Sequence, residues 1–153
     1  MRQVYTILDK LRDILRANGI SKTVTFGDIV QVDLNKTTIY PLAHIIFGTV
    51  TFDDRIMSAS IQVLCLDIVD ATNEKQTEDG FYGNANLQDI LNTQLQVVNG
   101  LQQELRRGDT FSDNFQVTSS VSAEPLIDTY ENELAGWGMT VEIQVPTNEL
   151  SLC

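Results

Sequence analysis

The sequence is poor in the residues that build catalytic and metal centres: 153 residues contain one histidine, His44, and two cysteines, Cys65 and Cys153. Two cysteines, one inside an apolar run and one at the last position, exclude a disulfide framework and make a thiolate metal site implausible. No apolar stretch is longer than a strand, which excludes a transmembrane helix, and the opening Met-Arg-Gln-Val-Tyr has no secretory character. The chain is therefore expected to be made and kept in a cytosol. Positive charge is also missing from the last third. All ten lysines and arginines lie at or before Arg107, against 21 acidic residues overall, for a formal net charge of −11. Beyond Arg107 come Asp109, Asp113, Glu124, Asp128, Glu131, Glu133, Glu142 and Glu149 with no basic partner. Such a field repels phosphates and argues against tight non-specific binding to nucleic acid or anionic membranes. The one basic cluster, Arg2, Lys10, Arg12, Arg16 and Lys22, reads as the wet face of a helix.

What is present is amphipathic periodicity in a chain long enough for one core-bearing domain. Val4, Ile7, Leu8, Leu11, Ile14 and Leu15 recur at spacings of three and four, which predicts a first helix that stops near Gly19. A second helix is predicted from about Leu87 to Arg107, with Leu87, Ile90, Leu91, Leu95, Val98, Leu101 and Leu105 on one face, Asn86 as its N-cap and Gly108 as its end. Asp89 suits its positive end and Arg106 and Arg107 its negative end. Gly100 inside it costs about 1 kcal/mol relative to alanine and is expected either to be tolerated or to admit a neighbouring backbone.

Residues 42–52 and 56–67, rich in Ile, Val, Phe and Thr, flank Asp53-Asp54-Arg55 and predict a hairpin. Met57, Ala59, Ile61, Val63 and Cys65 are expected to face the core. Trp137, Met139, Val141, Ile143 and Val145 alternate with polar residues and glycines in the clearest period-two segment, a final strand. Phe115, Val117 and Val121 mark another, and Thr23 to Phe26 a short one before Gly27-Asp28. The expected fold class is α+β: two amphipathic helices packed on a largely antiparallel sheet of four to five strands, in the order α-β-β(-β)-α-β-β, as a single domain over residues 1–153. Long connections at 70–86 and 124–136 are the places to look for function.

Chemistry is sparse. His44, in Tyr-Pro-Leu-Ala-His-Ile-Ile, has no nucleophile motif beside it and reads as a polar side chain at the start of a strand. Cys65 reads as a buried small hydrophobe and Cys153 as an exposed terminal thiol. Asp67, Asp70, Glu74, Glu78 and Asp79 lack calcium-loop spacing and read as a solvated acidic loop. The glycines form neither G-x-G-x-x-G nor a P-loop, so no nucleotide site is supported. Asn35-Lys36-Thr37 matches a glycosylation sequon, but without a secretory route the match is chance. No catalytic, cofactor or metal residue is assigned. Phe81, Tyr82, Ile127, Tyr130 and Leu134, apolar residues in polar connections, are the candidates for subunit contacts, and each is either a plug for its own domain or an anchor for a neighbour. Trp137 is expected in the core.

Four stretches carry a resemblance: Asp33-Leu34-Asn35-Lys36-Thr37-Thr38-Ile39-Tyr40-Pro41-Leu42-Ala43-His44-Ile45, Leu66-Asp67-Ile68-Val69-Asp70, Asp89-Ile90-Leu91-Asn92-Thr93 and Asn132-Glu133-Leu134-Ala135-Gly136-Trp137. Together with the element order, they resemble the tail terminator and tail-completion (neck) proteins of tailed bacteriophages. That resemblance implies a structural, non-enzymatic virion protein with no cofactor, assembled in the host cytoplasm into a homo-oligomeric ring, with a hexamer favoured and a dodecamer possible. Its implied partners are tail-tube and neck or connector proteins, with genomic DNA passing through the lumen without specific binding and no membrane involved. A head-to-tail connector or neck adaptor ring of different stoichiometry is the alternative. An enzyme built on His44 or the 67–79 carboxylates, and a monomeric binding module, are the remaining classes.

Overall fold

The computed structural model describes residues 3–27, 40–68, 75–76, 83–107, 116–117, 121–127 and 134–146. The elements run α1 (Gln3–Ala17), β1 (Thr23–Phe26), β2 (Leu42–Phe52), β3 (Ile56–Ile68), β4 (Lys75–Gln76), β5 (Gly83–Asn84), α2 (Ala85–Arg107), β6 (Gln116–Val117), β7 (Ser122–Ile127) and β8 (Leu134–Pro146). The class is the mixed α+β one expected, and the sheet is antiparallel except where β1 runs parallel to β2. β3 is central. It pairs with β2 on one side, and on the other with β8 along its whole length, from Ile56 opposite Pro146 to Ile68 opposite Leu134. The far edge of β8 is shared, β7 taking residues 135–140 and β6 residues 143–144.

Both helices lie on one face of this sheet. Ile7, Leu11 and Leu15 of α1 are fully buried, and the helix ends where Gly19 adopts a left-handed φ of 74°. The Asn18 side-chain oxygen then accepts hydrogen bonds from Ile20 N (2.7 Å) and Ser21 N (3.1 Å), turning the chain toward β1. On α2 the buried stripe is Ile90, Gln94, Val97, Val98, Leu101 and Leu105. This corrects the expected face: Leu95 is 41 % exposed, and Val97 and Gln94 are buried in its place. At 100° per residue Leu95 is more than a quarter turn from the line that joins Ile90, Gln94 and Val98. The helix also begins at Ala85, so Asn86 lies in its first turn and is not the cap. Gly100 admits no neighbouring backbone; nothing lies within 4 Å of the place its Cβ would occupy.

Against the helices the sheet presents Ala43 and Ile45, then Met57, Ala59, Ile61, Val63 and Cys65 as expected, and Met139, Val141, Ile143 and Val145. Each large aliphatic side chain buried there contributes on the order of 2 kcal/mol. Alternation does not describe all of β3, however. Leu64 and Leu66, which point to the opposite face, are also buried, in a second core with Tyr40, Leu42 and Leu134 and with Ile46, Ile68 and Leu126 packed against it. Further along that face Gln62, Thr140 and Glu142 are exposed. The sheet is thus two-sided at one end and one-sided at the other.

Two departures from the expected elements have local causes. Residues 124–127, expected in a loop, belong to β7, where Glu124 and Pro125 are tolerated because an edge strand has one row of backbone groups with no ladder to complete. In β2 the pairing moves from Phe47 opposite Ile61 to Val50 opposite Ala59, leaving Gly48 and Thr49 opposite Ser60. A Cβ on Gly48 would stand 2.9 Å from the Ser60 carbonyl oxygen, so the bulge has a glycine at its tightest point.

Among the described glycines the tightest surroundings are at Gly136, opposite Leu66, where a Cβ would land on the Cys65 carbonyl. Gly136→Ala is expected to destabilise the protein by at least about 2 kcal/mol, because two paired central strands cannot separate locally. Gly100→Ala, with open space around it, should stabilise it by up to about 1 kcal/mol. Urea unfolding of both variants checks the pair, and similar effects for the two would overturn this account.

Candidate functional site

The five candidate contact residues fare differently. Phe81, Tyr82 and Tyr130 lie outside the described residues. Ile127 closes β7, its backbone opposite Ala135, while its side chain lies outside what is described. Leu134 opens β8 and is 1 % exposed, packed with Tyr40, Leu42, Leu64 and Leu66. For Leu134 the choice between plug and anchor is decided: it is a plug, because its strand begins inside the second core. Trp137 is half-buried at the margin of the main core, and its indole Nε1 donates to the Leu91 carbonyl at 2.8 Å, tying β8 to α2.

His44 is more deeply placed than a polar residue at a strand start would be. Its ring is fully buried, with Nε2 2.7 Å from the Gly27 carbonyl and Nδ1 2.6 Å from the Thr25 hydroxyl. A carbonyl only accepts, so Nε2 carries the proton, and in the neutral ring Thr25 donates to Nδ1. Gly27, at φ 118°, also donates its N–H to the Ile45 carbonyl at 3.1 Å. His44 therefore clamps β1 to β2, with both nitrogens engaged in that clamp. At the start of the same edge the Pro41 carbonyl, after the cis Tyr40–Pro41 bond, accepts from Lys22 N and Thr23 N at 2.9 and 3.3 Å.

Cys65 is fully buried, and burial pushes its thiol up to about 12, so it stays protonated across the neutral range. Asp67 is half-buried; desolvation raises its carboxyl above the ordinary value, partly offset by a 2.8 Å hydrogen bond from Ile68 N. The other acids of that stretch, Asp70, Glu74, Glu78 and Asp79, lie outside the described residues. Among the described residues no three His, Cys, Asp or Glu side chains gather closely enough to hold a metal ion. No described helix is long and apolar enough to cross a membrane.

Three features escaped the sequence. Gln94 is fully buried on the sheet-facing stripe of α2 with neither its amide nitrogen nor its oxygen hydrogen-bonded to protein, a burden of roughly 1–3 kcal/mol for each group left unsatisfied. Its polar identity among leucines and valines at helical spacing was the only available signal. A groove of about 470 Å3 runs between α1 and α2, with Ile14, Ala17, Gly100 and Leu101 along it and Lys10, Asp13 and Glu104 at its rim. At the turn between β2 and β3, Phe52 is 67 % and Ile56 40 % exposed. Both features join chain segments distant in sequence or depend on where the helical layer stops.

Exposed charge is separated along the chain. Over residues 3–22, Lys10, Arg12, Arg16 and Lys22 outweigh Asp9 and Asp13 by two charges, and only Arg12 pairs with those acids, at 3.3 Å. α1 packs beside β1, whereas Glu124 and Glu142 are exposed on β7 and β8. No protein-family model matches this chain, and no curated protein matches it in sequence.

Because the folded pKa of Asp67 lies above its unfolded value, the unfolded state releases this proton first, and stability falls as pH rises through that window. Asp67→Asn should remove this slope and raise the urea midpoint at neutral pH relative to the native chain. A midpoint lower at every pH would show that the carboxylate is net stabilising.

Proposed function

We propose that this chain is a structural virion protein of a tailed bacteriophage, a ring subunit that terminates or completes the tail and joins it to the head or neck. The observation that carries the reading is a convergence. The described parts of the four stretches that resemble tail-completion proteins meet at one end of the sheet. Leu42 is opposite Leu66, Leu66 opposite Gly136, Cys65 opposite Trp137 and Ile68 opposite Leu134. Ile90 packs on Ala135, and the Leu91 carbonyl receives the Trp137 indole N–H. Segments scattered over the chain that share a resemblance and also share one packed unit behave as the signature of a fold rather than as separate coincidences.

Three physical features support the assignment. His44 and Cys65, the two residues best suited to nucleophilic or acid–base work, are engaged in the strand clamp and the core. The positive α1 and the negative β7–β8 side suit contacts in which each subunit meets the next through two different surfaces, the type that closes into rings. An acidic lumen lets DNA pass without adhering, and the carboxyl-terminal third, with eight acids and no base, is the part of the chain suited to line it.

Native mass spectrometry and light scattering across concentration, followed by electron microscopy, test this. A closed ring with Glu124 and Glu142 toward the lumen is expected, six copies favouring a terminator and twelve a connector or neck adaptor. A chain that neither self-associates nor binds isolated tail tubes or necks would overturn the proposal, and a lumen lined by Lys10 and Arg16 would overturn the lumen assignment.

A further inference from the structure

We infer that the end of β2, from Val50 to Phe52, pairs antiparallel with the same strand of a second copy of this chain, about a two-fold axis at Thr51. The inference goes beyond the ring reading and does not rest on it. A two-fold contact alone makes a pair, and added to a closed ring it stacks two rings.

The backbone of this segment is turned so that one row of its polar groups faces away from β3. Asp53 N donates to the Ile56 carbonyl at 2.8 Å, so the polar groups of Asp53 face β3. Their direction alternates from residue to residue along a strand, which turns Thr51 toward β3 and turns Val50 and Phe52 outward. Before the bulge the outward groups belong to odd-numbered residues instead. The Pro41 carbonyl accepts from Lys22 N and Thr23 N, and the Ile45 carbonyl from Gly27 N. The extra residue at Gly48 and Thr49 accounts for the change of phase. β1 takes the edge from Leu42 to Ile45. Beyond the bulge no described strand lies beside it, and Gly48, Thr49, Thr51 and Phe52 are exposed.

The edges of the sheet select the partner. β2 contains no Asp, Glu, Lys, Arg or Pro from Leu42 to Phe52, so it lacks the usual devices that keep an edge from pairing. The opposite edge is guarded by Glu124 and Pro125 on β7, and its neighbour β6 is two residues long. The described edge of a second copy that is open to β2 is therefore β2 itself.

Placed antiparallel about Thr51, the strand is self-complementary. Val50 lies opposite Phe52 of the second copy, and because both turn their polar groups outward they exchange both backbone hydrogen bonds. Phe52 and Val50 of the second copy do the same across the axis. Val50 is paired with Ala59 and Phe52 with Met57, both in the main core, so these side chains share the helix-bearing face. Each Phe52, 67 % exposed in the single chain, then packs on a valine in a favourable aromatic and β-branched pair. Thr51 meets Thr51 on the other face at the closer, non-hydrogen-bonded spacing. Charge admits this apposition. Two copies at −11 repel, yet no charged residue falls opposite another, since Asp53 lies opposite Thr49 and the two Asp53 side chains are at opposite ends of the paired segment.

The test uses full-length Thr51→Lys and Thr51→Glu in analytical ultracentrifugation. Thr51 is exposed, so both should keep the native unfolding midpoint. Each alone should lose the pair, or split stacked rings into single ones, because the axis sets like charges directly opposite. Mixed in equal amounts they should pair one to one, since only a contact that places residue 51 against residue 51 is restored this way. Phe52→Ala should weaken the native pair roughly ten-fold, as truncation of an interface aromatic does, and rising salt should strengthen it by screening the net charge. The Val50 and Phe52 amides should exchange rapidly with deuterium in Thr51→Lys and slowly in the native pair. Native assemblies indifferent to the Thr51 substitutions overturn the inference and leave the ring reading standing. A native chain monomeric at every concentration also overturns it, and binding of that monomer to tail tubes then decides the ring reading separately. Lys and Glu variants that do not associate on mixing overturn it as well. So do amides already protected in monomeric Thr51→Lys, which would show the edge covered from within the chain.

Discussion

The structure depends on the uninterrupted pairing of β3 with β8. Thirteen residue pairs, from Ile56 with Pro146 to Ile68 with Leu134, align the two most apolar segments of the chain and set every side chain of the sheet on its face. A slip of one residue would send Met139, Val141, Ile143 and Val145 to the polar face and expose Thr140 and Glu142 to the core. Register is held at one end by Gly136, which accepts no side chain against the Cys65 carbonyl. It is also held by Trp137, whose indole is tied to α2. Everything else is arranged about this pair: α2 across it, β2 on one flank, β6 and β7 on the other.

Because both helices cover one face, the opposite face must be apolar only where other parts of the chain bury it. Leu42, Leu64, Leu66 and Leu134 form that second core at the end where β1 covers β2, and the face turns polar toward the hairpin. The domain therefore has a firmly two-sided end and a one-sided end. At the one-sided end β1 no longer covers β2, and Phe52 and Ile56 are left in water. An acidic chain with such an end, and with a net positive stretch over residues 3–22, has unlike surfaces on unlike sides. That asymmetry connects the fold to the proposed ring.

Legibility in the sequence followed the range of the interactions involved. The hairpin at residues 53–55, the core positions of β3 from Met57 to Cys65 and the alternation of β8 were readable because period two is local. β7 was not, since Glu124 and Pro125 oppose a strand in isolation and are permitted only by an edge position. The stripe on α2 was misjudged at Leu95 because hydrophobic identity outweighed angle, and Gln94 shows that a polar residue can occupy the stripe itself. Of the candidate contact residues, Leu134 could be read locally as either a plug or an anchor, and only its strand's start inside the second core separates the two.

The sequence by itself determined the α+β class, both amphipathic helices, the central hairpin and the lopsided charge. These depend on composition and on periods of two and 3.6, which neighbouring residues set among themselves. Only the tertiary structure decided that His44 clamps β1 to β2, that Gly136 must remain glycine, that Leu134 is a plug, and that a groove opens beside Gly100 while Phe52 and Ile56 stay exposed. Each of those outcomes depends on which distant segment lies opposite, and register and coverage are properties of the assembled layers that no local pattern contains.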